Sequence, residues 1–147
     1  MITIAATSYA AQKFNGIHLK DTNHHTHIID DLKSPLTLVH FWATWCSPCI
    51  KELPALITFM ERQGNNRSLI LIAADSQENT KRYLTSNDIE DTVLVDQYGK
   101  AMHEFNIKTI PTTLIYNREG MLIKKITGAV DWQSDFIEKK LNALNKR

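Results

Sequence analysis

The chain has 147 residues, of which 43% are hydrophobic and 22% charged, and its formal net charge is +1. This size and composition suit one compact domain with a substantial hydrophobic core. A net charge near zero lacks the basic footprint of a nucleic-acid-binding protein, so we expect no nucleic-acid partner. No apolar run approaches the roughly 20 residues that a transmembrane helix needs.

The start of the chain differs in character from the rest. Residues 1–11 are apolar and end in small residues, but they lack the positively charged beginning of a signal peptide. We interpret residues 1–13 as a flexible N-terminus or leader remnant, and residues 14–147 as a single domain. No repeat, low-complexity tract or linker interrupts that domain.

Two short strands are predicted ahead of the core, over Ile17–Leu19 and His27–Ile29, and the polar segment between them predicts a hairpin. Three histidines, His24, His25 and His27, lie in or beside this turn. Strand alternation places His25 and His27 on one face. No acidic or cysteine partner is assigned to them, so we expect a solvated turn and no metal site.

Both cysteines of the chain lie at one predicted junction between a strand and a helix. Thr37–Trp42 reads as a buried strand, and apolar residues at helical spacing predict an amphipathic helix from Ser47 to about Gln63. A thiolate at a helix N-terminus is stabilised by unpaired N–H groups and the helix dipole. We therefore predict a reactive Cys46 at the exposed end and a less accessible Cys49 one turn further along.

Two other interpretations of the cysteine pair are an inert structural disulfide and half of a zinc site. A disulfide across two intervening residues closes a very short loop and restricts the unfolded chain little. A zinc site usually needs four ligands, and the chain has no second cysteine pair. Redox chemistry is the interpretation that a C-x-x-C motif beside a strand–helix unit favours.

The stretch from Phe41 to Pro54, FWATWCSPCIKELP, resembles the active site of the thioredoxin superfamily, and in particular the TlpA/ResA branch of bacterial thiol–disulfide oxidoreductases. A second matching motif is Ile110-Pro111-Thr112-Thr113, where the family carries a cis-proline that faces the disulfide. The resemblance covers about Ile17 to Leu144. It implies a thioredoxin fold: an α/β domain with a central mixed sheet flanked by helices, here extended by the N-terminal hairpin.

The remaining elements agree with that fold. We predict strands over Leu69–Ala74 and Val93–Asp96, helices over Gln77–Asn87 and Lys100–Phe105, and a hairpin of Thr112–Tyr116 with Leu122–Thr127. A final amphipathic helix is predicted over Trp132–Asn145, capped by Asp131.

The resemblance also implies roles for individual residues. Cys46 is the attacking thiol and Cys49 the resolving thiol, and no other cofactor or metal is expected. A substrate surface of five residues is implied: Trp45, Ser47, Pro48, Ile110 and Pro111. Many thioredoxins carry an aspartate where this chain has His40. For His40 two roles stay open: it transfers a proton, or it is a neutral residue packed in the core. Asp75 and Glu78 lie where the TlpA/ResA branch often has an acidic residue.

Three functions remain open on these observations. The first is an exported thiol–disulfide oxidoreductase that reduces protein disulfides, including those of cytochrome c precursors, and receives electrons from a membrane thiol–disulfide donor. Its expected location is the periplasm or the periplasmic face of a membrane, and its expected state a monomer. The second is a cytoplasmic thioredoxin recharged by a flavoprotein reductase. The third is a binding domain of thioredoxin fold without catalysis.

Overall fold

The computed structural model describes residues 12–145. These residues form one seven-stranded sheet with the strand order β2-β1-β5-β4-β3-β6-β7. The strands are β1 Ile17–Asp21, β2 Thr26–Ile29, β3 Leu36–Trp42, β4 Arg67–Ala73, β5 Val93–Val95, β6 Thr112–Asn117 and β7 Leu122–Thr127. The helices are α1 Ser47–Glu61, α2 Gln77–Ser86, α3 Lys100–Glu104 and α4 Asp135–Leu144, with a short 3-10 turn at Gly64–Asn66.

The centre of the sheet is parallel and its margins are antiparallel. Strand β4 lies between β3 and β5 and pairs in parallel with both. In the pairing of β3 with β4, the register runs from Leu36 opposite Arg67 to Trp42 opposite Ala73. Because β3, β4 and β5 follow one another across the sheet, right-handed crossovers bring α1 and α2 to the same face. The carboxyl ends of these strands therefore meet at one edge of the molecule, where the cysteines lie.

Each face of the sheet carries its own hydrophobic core. On β3, Leu36, Leu38 and Trp42 pack under α1 and α4, whereas Val39 and Phe41 pack on the opposite face with residues of α3. This alternation follows from the period of two along a strand. All seven residues of β3 are buried, because helices cover both of its faces.

The predicted N-terminal hairpin is present and extends one side of the sheet. Strands β1 and β2 pair antiparallel, and β1 also pairs antiparallel with β5 through Lys20 and Asp21. The strands on the other side are the predicted hairpin β6–β7, whose register shifts at a bulge between Ile115 and Tyr116. The predicted order of strands and helices is confirmed.

The start of the last helix was predicted wrongly. Helix α4 begins at Asp135, and its N-cap is Ser134, whose Oγ accepts a hydrogen bond from the Phe136 N–H at 3.2 Å. Asp131 instead accepts from the Gln133 N–H at 3.1 Å in a preceding turn. Aspartate and serine both favour N-caps and turns, so the local pattern does not distinguish the two starting points. Trp132 consequently lies before the helix.

Candidate active site

Cys46 and Cys49 form a disulfide at the N-terminus of α1, with their Cα atoms 5.2 Å apart. Cys46 is the N-cap residue of the helix, and its Sγ accepts a hydrogen bond from the Cys49 N–H at 3.4 Å. Cys46 is 7% exposed and Cys49 is fully buried. The predicted order of accessibility is thus present, although the disulfide form leaves only a small part of Cys46 open to solvent.

A loop from another part of the chain faces Cys46. The Ile110–Pro111 peptide bond is cis, and the carbonyl oxygen of Ile110 lies 3.9 Å from Cys46 Sγ. The Pro111 carbonyl accepts a hydrogen bond from the Gly128 N–H at 2.8 Å. The loop is therefore held between the cysteines and the end of β7.

The other residues of the predicted substrate surface lie around this loop. Trp45 is 70% exposed, and Ser47 and Pro48 are exposed on the first turn of α1. Trp42, in contrast, is fully buried and packs against Tyr83 at a ring-centroid distance of 5.4 Å. The structure thus places an exposed aromatic side chain directly beside Cys46.

Asp75, two residues after the end of β4, anchors the loop that precedes Cys46. Its Oδ2 accepts hydrogen bonds from the backbone N–H and the hydroxyl of Thr44, and its Oδ1 accepts from the Ser76 N–H and the Asn79 side chain. Burial opposes ionisation of this carboxyl, but the hydrogen bonds, chiefly those from Thr44, outweigh it and hold its pKa below the usual value. Asp75 is consequently suited to holding the loop in place.

His40 lies on the face of β3 that α1 covers. Its side chain is fully buried, and its Nδ1 is hydrogen-bonded to Thr113 Oγ1 at 2.8 Å. Within residues 12–145, its Nε2 has no hydrogen-bond partner. Burial lowers the pKa of His40 to about 3, so the imidazole is neutral at neutral pH.

Glu52 is a buried acidic residue that the sequence-based interpretation missed. It lies on α1 three residues after Cys49. Side chains three or four residues apart are neighbours on the surface of a helix. Its Oε1 accepts a hydrogen bond from the Trp132 indole N–H at 2.8 Å, and no described residue bonds its Oε2. Burial raises the pKa of Glu52, although hydrogen bonding to the Trp132 side chain and to the Val130 backbone opposes the rise. The available signal was its helical spacing, which puts it on the apolar face with Cys49 and Leu56.

The remaining candidates lie elsewhere. Glu78 is exposed on α2 and pairs with Arg82 at 2.7 Å, so nothing in its surroundings supports the predicted proton transfer. Asp21, to which no role was assigned, is the partner of two of the histidines. Its carboxylate lies 2.7 Å from His27 Nε2 and 3.7 Å from His25 Nδ1. It also accepts hydrogen bonds from the backbone N–H groups of the turn, which makes it a stabiliser of the β1–β2 hairpin.

Across residues 12–145, no group of three histidine, cysteine, aspartate or glutamate side chains is placed to hold a metal ion. In the same part of the chain, no helix is both long and apolar enough to cross a bilayer.

The sheet order, the C-x-x-C disulfide at the start of α1 and the proline loop facing it together define a domain of thioredoxin fold. The chain belongs to the AhpC/TSA family, whose model matches residues 10–125.

Two similar proteins are named as thiol–disulfide oxidoreductases. The chain is 30% identical over 102 residues to sporulation thiol-disulfide oxidoreductase A of Bacillus subtilis, a match that covers 65% of this chain and 61% of that protein. It is 27% identical over 115 residues to the thiol-disulfide oxidoreductase ResA of the same organism, covering 76% of this chain and 64% of ResA. These matches span less than two thirds of the relatives' own length.

Two solved structures confirm the predicted fold. The crystal structure of StoA from Bacillus subtilis matches with a TM-score of 0.68 and 26% identity, over 80% of this chain and 91% of that one. The exposed lipoprotein thioredoxin Etrx1 of Streptococcus pneumoniae matches with a TM-score of 0.74 and 24% identity, over 87% of this chain and 98% of that one.

Proposed function

We propose that this protein reduces disulfide bonds of other proteins, with Cys46 as the attacking thiol and Cys49 as the resolving thiol. The observation that carries the proposal is the position of Cys46 as the N-cap of α1, beside the exposed Trp45 and 3.9 Å from the Ile110 carbonyl. A thiolate at this position is stabilised by the helix N-terminus. Cys46 is also the more exposed of the two cysteines, at 7% against 0%.

The reaction is a pair of thiol–disulfide exchanges. In the reduced protein, the Cys46 thiolate attacks one sulfur of the substrate disulfide, and the other substrate sulfur leaves as a thiolate. The Cys49 thiolate then attacks Cys46 Sγ in the mixed disulfide and releases the second substrate thiolate. The protein ends as the Cys46–Cys49 disulfide, having given two electrons to the substrate, and a dithiol donor restores it.

Proton release from the buried Cys49 thiol requires a nearby base. We assign this role to Glu52, one helical turn from Cys49, because within residues 12–145 its Oε2 has no hydrogen-bond donor and its pKa is raised. His40 is the weaker candidate, since an imidazole whose pKa is about 3 accepts a proton poorly. Its hydrogen bond to Thr113 and its full burial favour a packing role.

The residues between the cysteines favour a reductant. Ser47 and Pro48 carry no charge, so only the helix terminus and local N–H groups stabilise the Cys46 thiolate. A cation at this position would stabilise the thiolate further, favour the dithiol form and make the disulfide more oxidising.

The proposed setting follows from the resemblance to the TlpA/ResA branch. It is an oxidising compartment outside the cytoplasm, where a membrane-bound thiol donor recharges the protein and cytochrome c precursors are candidate substrates. Protease treatment of intact cells that express the full-length protein tests this location. Digestion of the protein while a cytoplasmic marker survives supports export.

Insulin reduction by dithiothreitol tests the activity itself. We expect wild-type protein to accelerate insulin precipitation and Cys46→Ala to abolish the acceleration. Cys49→Ala is expected to retain attack but not resolution, and so to accumulate mixed disulfides that non-reducing gel electrophoresis separates. Absence of acceleration by wild-type protein would leave only a binding function for the fold.

Equilibration with glutathione tests whether the protein acts as a reductant or as an oxidant. A mostly oxidised active site at a balanced ratio of reduced to oxidised glutathione supports a reductant. A mostly reduced active site under the same conditions contradicts that direction.

A further inference from the structure

A groove lies between β7 and α4, next to the proline loop. It has a volume of about 450 Å³ and an apolar floor that includes Ile126, Val130 and Ile137. Phe136, on its rim, is 67% exposed although it is large and apolar. An exposed aromatic side chain beside an apolar groove is a common feature of protein-binding surfaces.

The rim of the groove is positively charged. Lys124 faces the α4 side of the sheet, because its cross-strand partner Ile115 belongs to the core on that side. Lys140 approaches from α4, with its Nζ 5.2 Å from the centre of the Phe136 ring. Neither lysine forms a salt bridge within residues 12–145. Asp131 is the acidic residue in the lining, so the groove carries a net positive charge.

The groove leads directly to the redox site. Strand β7 ends at Thr127, which pairs with Thr112 next to Pro111. The following Gly128 N–H donates to the Pro111 carbonyl at 2.8 Å. Lys124 is three residues further back along β7, and a strand rises about 3.3 Å per residue. The groove is therefore within reach of an extended peptide that has its cysteine at Cys46 and follows the proline loop and β7.

We propose that this groove binds an acidic, extended segment of the disulfide-containing substrate protein. The inference rests on the proposed function, since it gives that active site a preference among substrates. Lys124 and Lys140 pair with carboxylates that flank the substrate cysteine, and Phe136 covers an apolar side chain between them. Such complementarity steers encounter and selects partners.

Two matched peptides test the proposal. Each carries one cysteine as a mixed disulfide with 5-thio-2-nitrobenzoate. The peptides differ only in the six residues that lie three to five positions before and after the cysteine. These residues are glutamate in one peptide and glutamine in the other. Reduced protein converts the mixed disulfide to peptide thiol and free thionitrobenzoate while its own dithiol becomes the Cys46–Cys49 disulfide. The absorbance of thionitrobenzoate gives the rate.

We expect the acidic peptide to react about fivefold faster at low salt, as two exposed ion pairs permit. The preference should shrink at high salt and disappear in the double variant Lys124→Glu/Lys140→Glu. The control Lys20→Glu/Lys33→Glu makes the same change in net charge on exposed residues elsewhere and should keep most of the preference.

Equal rates for the two peptides overturn the inference but leave the proposed function standing, because the uncharged peptide still reacts. Loss of preference in the control equal to that in the groove variant also overturns it, since net charge alone then explains the effect. A groove that binds anionic phosphatidylserine vesicles, while showing no preference between the peptides, is a membrane surface and contradicts the proposal. Failure of reduced protein to release thionitrobenzoate from either peptide overturns both proposals.

Discussion

Two polar regions flank the cysteines, and they differ in how completely their hydrogen bonds are satisfied. In the region that holds the loop before Cys46, both oxygens of Asp75 accept hydrogen bonds, from Thr44, Ser76 and Asn79. On the α1 side of the sheet, His40 and Glu52 each make one side-chain hydrogen bond. Each also has one buried atom that no described residue bonds.

This difference separates an anchor from buried groups whose charged forms are disfavoured. A carboxylate with all its hydrogen bonds made is stabilised in its charged form and holds its donors in place. A buried group with an unsatisfied atom is destabilised in its charged form, and it retains an atom at which a proton can be added or lost. We therefore expect substitutions in the two regions to change different measurable quantities.

The largest expected effect concerns His40 and acid stability. Its pKa is about 3 in the folded protein and 6.5 in the unfolded chain, so the unfolded state binds a proton that the folded state does not. Stability should therefore fall as the pH drops from about 6.5 towards 3, by on the order of 3 kcal/mol at pH 4. His40→Asn, which does not titrate, should remove this loss. The free energy of urea unfolding, determined at pH 7 and at pH 4 for wild type and variant, measures this loss of stability.

The exposed His103 supplies the matched control for that experiment. His103→Asn should change the unfolding free energy by less than about 0.5 kcal/mol, as expected for an exposed residue. If the wild type and His40→Asn lose equal stability between pH 7 and pH 4, the imidazole of His40 is not held neutral.

Asp75 should give the next largest effect. Asp75→Ala leaves the partly buried donors of Thr44 and Ser76 without their acceptor, at a cost of about 2 kcal/mol in the free energy of unfolding at pH 7. Because the pKa of Asp75 is lowered, its contribution is present above the unfolded-state pKa and is lost as the pH falls through the folded-state value. Chemical denaturation at pH 7 is the measurement.

Glu78, three residues further on and exposed, provides the comparison. Glu78→Ala should change the unfolding free energy by less than about 0.5 kcal/mol. Equal losses in the two variants would show that the hydrogen bonds of Asp75 do not anchor the loop.

The smallest effect is expected at Glu52 and is mainly kinetic. Glu52→Gln keeps an acceptor for the Trp132 indole but cannot take a proton from Cys49, so resolution of the mixed disulfide should slow about fivefold at pH 7. Burial raises the pKa of Glu52, so the fold stabilises its protonated form relative to the unfolded chain. Its stabilising contribution is lost as the pH rises through the folded-state pKa, so the variant should gain stability relative to wild type in alkali.

Stopped-flow measurement of thiol release separates resolution from attack. The control is Glu61→Gln, an exposed acid at the end of the same helix, which should resolve at the wild-type rate. Wild-type resolution by Glu52→Gln would remove this carboxyl from the mechanism and return His40 to consideration.

The local features of the site were predictable from the sequence. The apolar run of β3, the helical spacing after Ser47 and the two cysteines between them lie within one short stretch, where neighbouring residues determine the structure. The start of α4 was less predictable, because Asp131 was expected as its N-cap and Ser134 is the N-cap. Both are good capping residues, and only the packing of Trp132 against α1 decides which of them begins the helix.

The sequence by itself determined the strand–helix unit and the position of the cysteine pair at its junction, because local periodicity and spacing encode them. Tertiary structure decided which polar groups stand near the cysteines. His40 meets Thr113 across 73 residues of sequence, and Glu52 meets Trp132 across 80. Whether a buried polar atom finds a partner depends on how distant segments pack, and the order of residues along the chain does not specify that packing locally.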